Sequence, residues 1–143
     1  MRSIVKFSQL PCEDRSLLLK TLPLVAGIRL ALWVLPFEST RRLVARLAAD
    51  KRSEESRVIP AAKLAWAVGA VARRIPAASC LTQALALHVL CRRNGHPTDV
   101  QIGVNRDERN SFRAHAWVES DGEILIGRLA DLSAFLPLPS LGL

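Results

Sequence analysis

Residues 79 to 95 read Ser-Cys-Leu-Thr-Gln-Ala-Leu-Ala-Leu-His-Val-Leu-Cys-Arg-Arg-Asn-Gly, and the fold turns on how they are read. The stretch follows Pro76-Ala77-Ala78 and closes on Asn94-Gly95, a helix stop, so it predicts a helix from about Ser79 to Arg93 with Cys80 in the first turn. Apolar side chains fall nearly all the way round it. Leu81, Ala84, Leu85 and Cys91 share one side, and Ala86, Leu87 and Leu90 lie on others, which is the pattern of a buried central helix. Cys80 then stands at the edge of the core. Unpaired N–H groups and the helix dipole favour negative charge there, and the thiolate is the nucleophilic form of cysteine.

Downstream, two β-type segments, Thr98 to Val104 and Phe112 to Glu119, are followed by Ser120-Asp121-Gly122 and a third segment, Glu123 to Ile126. Asp-Gly between apolar alternations is a hairpin signal. The strand period of two puts His115, Trp117 and Glu119 on one face of the middle strand and Ala114, Ala116 and Val118 on the other. The small residues of the second face admit a close neighbour. The fold class is therefore α+β, with a central helix packed on a small antiparallel sheet. A Cys at a helix start and a His on such a strand suit a thiol protease or acyltransferase, in which the His takes the thiol proton and later protonates the leaving amine. Each residue also has a plainer reading. Free cysteine is among the most buried residue types, and a strand His beside a Trp is often a packed side chain. In this helix and strand context the pair points to chemistry.

These residues resemble a known family. Ser79-Cys80-Leu81-Thr82-Gln83-Ala84-Leu85-Ala86-Leu87, the Arg92-Arg93-Asn94-Gly95 helix end, Gln101-Ile102-Gly103-Val104, and Ala114-His115-Ala116-Trp117-Val118-Glu119 with Asp121-Gly122 look like the transglutaminase-like cysteine proteases of lasso peptide biosynthesis. Those are leader peptidases of papain/transglutaminase-like fold that work with a small leader-binding protein and an ATP-dependent cyclase. The resemblance is close over the C-terminal half, and the length resembles the split form without a fused leader-binding domain. It implies Cys80 as nucleophile, His115 as general base, a precursor peptide as substrate, the leader-binding protein as partner with the cyclase as a further one, and no cofactor. In the family an acidic residue follows the His by about a dozen positions, and that place here falls near Ile126-Gly127, whose side chains cannot orient an imidazole.

Three replacements stand open for the third group. Asp131, a few residues on, is the nearest carboxylate and the assigned one. Asp121 sits at the hairpin tip, five strand residues from His115, or roughly 17 Å at the usual rise. A backbone carbonyl or a water is the third. With a three-residue loop of Ser120, Asp121 and Gly122, Gly127 would lie opposite His115.

The chain has 143 residues, half of them apolar, and reads as one domain over 1–143, with a helical cap over 1–75 and the catalytic core over 76–143. Its three cysteines, Cys12, Cys80 and Cys91, have no paired spacing. Cys80 and Cys91 lie three turns apart on one helix, roughly 16 Å, and cannot bridge, which suits a reducing, cytoplasmic compartment. No metal spacing occurs, and His88 and His96 read as surface or packing residues. The net charge of +7 comes from arginines spread along the chain without interleaved aromatics, so nucleic acid is not the expected partner. No phosphate-binding loop is present.

Upstream, Met1 to Leu10 reads as a short strand or arm without signal-peptide layout. A helix opens at Pro11-Cys12-Glu13-Asp14 and runs toward Leu35, bent or broken between Pro23 and Gly27. Lys20, Pro23 and Arg29 argue against a membrane span over Leu17 to Leu35. Glu38 to Ala49 turns Leu43, Val44 and Leu47 inward, Asp50 to Arg57 is a charged connection, and Ile59 to Ile75 is a helix with Leu64, Val68, Val71 and Ile75 in step. The apolar, Pro-rich tail from Leu129 to Leu143 folds back on the sheet or lies along the cleft. Two rival functions share these features: an acyltransferase using the same pair with an amine acceptor, and a non-catalytic peptide-binding module.

Overall fold

The computed structural model describes residues 7–49 and 58–143. The expected charged connection at Asp50 to Arg57 and most of the N-terminal arm lie outside them. Four longer helices, α1 (Cys12–Val34), α2 (Phe37–Ala49), α3 (Ala61–Ala72) and α4 (Cys80–Arg93), precede four strands, β1 (Asp99–Arg106), β2 (Phe112–Ser120), β3 (Glu123–Ile126) and β4 (Leu136–Pro137). The strands form one antiparallel sheet in the order β3-β2-β1-β4. This is the expected α+β arrangement of N-terminal helices, a cysteine-bearing helix and a small sheet.

Helix α4 is the hub. It packs on α1, α2 and α3, and among the strands chiefly on β2. Ala84, Leu85, Ala86, Leu87, Val89 and Cys91 are all buried, as the wrap-round apolar pattern requires. Ser79 caps the helix start, its side chain accepting from the Thr82 N–H at 3.3 Å. At the other end the Gly95 N–H donates to the Arg92 carbonyl and the His96 N–H to the Cys91 carbonyl, with Gly95 at φ +80°. Those two bonds are the Schellman stop that Asn94-Gly95 encodes.

Of the two outcomes expected at Pro23, a bend or a break, the break does not occur: helix α1 continues through Pro23 as 23 unbroken residues. Pro23 is exposed, and the carbonyl deprived of its partner belongs to Leu19, itself 60 % exposed, so the proline stands on the outer side of the helix. Leu17, Leu18, Thr21, Val25, Ile28 and Ala31 form the buried stripe of α1, on either side of the proline. The outer face carries Leu19, Leu22, Leu30 and Trp33, all exposed. By length and composition alone α1 could cross a membrane, with a mean hydropathy of 1.7 over 18 residues, and a third of that window is buried inside the fold.

Histidine 88 is buried to 1 % exposure on α4, with Nδ1 2.9 Å from Thr98 Oγ1 and no partner for Nε2. Burial, helped by the Arg92 charge and opposed by Asp99, pushes its pKa down from 6.5 to about 4. The unfolded chain therefore binds a proton that the folded chain refuses. Stability from this residue is complete above the unfolded value and is lost as pH falls toward 4, by about 3 kcal/mol at roughly 1.4 kcal/mol per unit. Denaturant midpoints measured across that window should fall more steeply for wild type than for His88→Gln.

Candidate active site

Cys80 is the first residue of α4, half-buried against the core. No carboxylate stands in the first turn of α4. Cys12 also opens a helix but is followed by Glu13 and Asp14, which oppose a negative sulfur. Cys91 is fully buried, and burial pushes its thiol up to about 12. Of the three thiols, Cys80 is the one at a helix start free of adjacent acids.

The alternation expected for β2 is present. Ala116 and Val118 join the core with the α4 side chains, while Trp117 is covered from the opposite face. The cover is the C-terminal segment. Residues Leu132–Ala134 form a 3-10 turn, β4 pairs with β1 at Gly103 and Val104, the Leu138 N–H donates to the Ile102 carbonyl at 2.7 Å, and Phe135 is buried. Arg41 holds the tail further along, donating to the Leu141 carbonyl at 3.0 Å. Gly103 makes room: a Cβ there would lie 2.9 Å from both the Phe135 Cβ and the Trp117 ring.

His115 lies on this covered face. Its ring stacks on Trp117 with centroids 6.3 Å apart at 18°, and Phe135 tilts against it at 6.0 Å. The Trp117 indole N–H donates to Glu119 Oε1 at 2.7 Å. Nε2 of His115 is 2.6 Å from the Gly127 carbonyl oxygen. A carbonyl only accepts, so Nε2 carries the proton in the neutral ring and Nδ1 carries the lone pair. Among the described residues, no hydrogen bond joins the imidazole to the Cys80 thiol. Helix α4 packs on β2 from the Ala116 and Val118 face, opposite the face that carries His115, so the structure does not bring the thiol and the imidazole into contact.

The hairpin register is corrected by the structure. Ser120 pairs with Glu123, so the loop is the two residues Asp121 and Gly122, at φ +50° and +82°, the conformation of a tight Asp-Gly turn. Glu119 pairs with Ile124 but Val118 with Ile126, which leaves Leu125 as an extra, bulged residue. Gly127 thus comes up beside Ala116 and Trp117, two residues short of the place opposite His115. Asp131 points elsewhere: its Oδ2 is 3.2 Å from Arg113 Nη1, and that guanidinium lies over the Phe135 ring. Asp121 stays at the exposed hairpin tip.

The tail folds back on the sheet, one of the two placements expected for it, but sequence reasoning singled out neither Phe135 nor the Gly103 gap. The signals were present, an aromatic in an apolar tail and a glycine inside a strand, but neither names its partner. A cavity of about 710 Å3, lined by Leu17, Leu24, Lys63, Leu90 and Arg93 among others, opens at the C-terminal end of α4, the end opposite Cys80. No group of His, Cys, Asp and Glu fit to hold a metal ion occurs among the described residues. A family model described as the transglutaminase-like superfamily matches residues 22–140, whereas no curated protein and no solved structure matches the chain.

Proposed function

The chain belongs to the transglutaminase-like superfamily, and from that premise we propose that it is a cysteine peptidase that removes the leader from a ribosomally made lasso precursor in the cytoplasm. Fold and family support a cysteine-dependent enzyme, and the lasso assignment rests on the motif resemblance around Cys80 and His115. The carrying observation is the His115 ring, whose Nε2 is held by a carbonyl so that Nδ1 is left with the lone pair a base needs.

The chemistry runs in two halves. Nδ1 takes the thiol proton, and the sulfur attacks the scissile carbonyl carbon, moving the π electrons onto oxygen. The C–N bond then breaks, and the imidazolium gives its proton to the leaving amine. Water, deprotonated by Nδ1, attacks the thioester, and the thiolate departs with the peptide acid released. The resting structure holds no Cys80 to His115 contact, so this chemistry requires the His115 face to be brought to the thiol when precursor is bound.

Alkylation at neutral pH tests this. Cys80 is half-buried and Cys12 exposed, so exposure alone favours Cys12. An activated Cys80 reverses that order and should be carboxymethylated at least about tenfold faster than Cys12, with Cys91 slowest. Peptide mapping by mass spectrometry reads the order, and faster labelling of Cys12 counts against the proposal. A second reading, a non-catalytic peptide-binding module, is favoured by the missing carboxylate at Gly127 and would show that contrary result.

A further inference from the structure

We infer that the backbone carbonyl of Gly127 is the third member of the site, holding His115 in its working tautomer where relatives with a complete triad use a carboxylate. The inference rests on the peptidase reading for its meaning, but its geometry stands apart from that reading.

Two observations carry it. The first is the 2.6 Å contact from His115 Nε2 to the Gly127 oxygen, made by a ring also clamped between Trp117 and Phe135. The second is the backbone at Gly127 itself. Its φ is +87°, and a Cβ built there would sit 2.6 Å from the Ala116 carbonyl oxygen and 2.8 Å from the Trp117 Cβ. Any side chain at this position, an aspartate included, would have to push the strand end away. The bulge at Leu125 brings the chain up in this conformation, with its carbonyl toward the imidazole. A glycine of left-handed conformation is what lets the main chain come close enough to replace a carboxylate.

A carbonyl does part of what a carboxylate does. It selects the tautomer and fixes the ring plane, but it brings no full negative charge to the imidazolium. Asp131 does not supply that charge directly, because its partner is Arg113, on the same β2 face as His115. Gly127 is thus a positioning residue acting through its main chain. Asp131 belongs to an exposed ion pair of small worth.

The test reads the imidazole in the resting protein, without substrate. In chain carrying 15N-labelled histidine, with the His115 signals assigned through His115→Gln, Nε2 should report as N–H and Nδ1 as bare nitrogen in the neutral ring. A dominant Nδ1–H tautomer, or a freely exchanging mixture, overturns the inference. Turnover provides the second arm: Asp131→Asn should keep kcat within about threefold of wild type, as an exposed pair allows. A loss of orders of magnitude with KM unchanged would return the role to Asp131 and overturn the inference. Gly127→Asp should lower kcat and scramble the tautomer, and a gain in turnover would also overturn it. Because the tautomer is read with no peptide present, a protein that cleaves nothing but shows the Nε2–H form would sink the peptidase reading and leave this one standing.

Discussion

Folded Cys80→Ala protein should cleave no precursor above the uncatalysed level, and His115→Ala should be as poor, a loss of at least about a thousandfold in kcat/KM for each. The argument is that the two residues form one machine. Without the sulfur no thioester forms, and without Nδ1 neither the thiol nor the leaving amine exchanges its proton. The double variant should accordingly be no worse than either single variant. Neither change threatens the fold, since Cys80 is half-buried at a helix start capped by Ser79, and His115 lies on the face of β2 away from the α4 core. Circular dichroism establishes that the variants are folded, and mass spectrometry of the precursor reads cleavage. Wild-type cleavage by folded Cys80→Ala would end the proposal.

The second large effect concerns the partner. Leader recognition is proposed to reside in a separate protein, and a tether of that kind converts peptide capture into an intramolecular event. It raises the effective concentration of substrate and can lift turnover at limiting precursor by about a hundredfold or more without a new contact at the site. The net charge of +7 suits an acidic peptide or partner, and the exposed Leu19, Leu22, Leu30 and Trp33 of α1 offer apolar area beside it. Rates should therefore rise steeply when the leader-binding protein is added at precursor concentrations below KM, and converge when precursor saturates. Equal rates at all concentrations would remove the partner from the scheme.

Much of this architecture is legible in the residues. Asn94-Gly95 announces the end of α4 because only a permissive backbone closes a Schellman stop, and Ser79 announces its start because a hydroxyl there answers an orphan N–H. The period of two on β2 gives the faces of Ala116 and Trp117 without any coordinates. What sequence does not give is register and main-chain chemistry. The bulge at Leu125 moves Gly127 by one place, and no residue type marks a bulge in advance. A backbone carbonyl was one of three options left open for the third group, but a carbonyl has no letter of its own, so the sequence could not say that it would be the one at Gly127 that meets His115. Pro23 does not break its helix for a related reason: the cost depends on which carbonyl a proline deprives, and on α1 that carbonyl belongs to the exposed Leu19.

The C-terminal segment has a further consequence. It blocks part of the outer edge of β1 through β4 and Leu138, and the same few residues carry Phe135 onto His115. A bare edge beside an apolar face is a template on which other chains add strands. Any loosening of the segment that opens the imidazole to a peptide also uncovers that template. In the proposed enzyme, ease of entry and resistance to self-association would thus be set against each other in one short piece of chain.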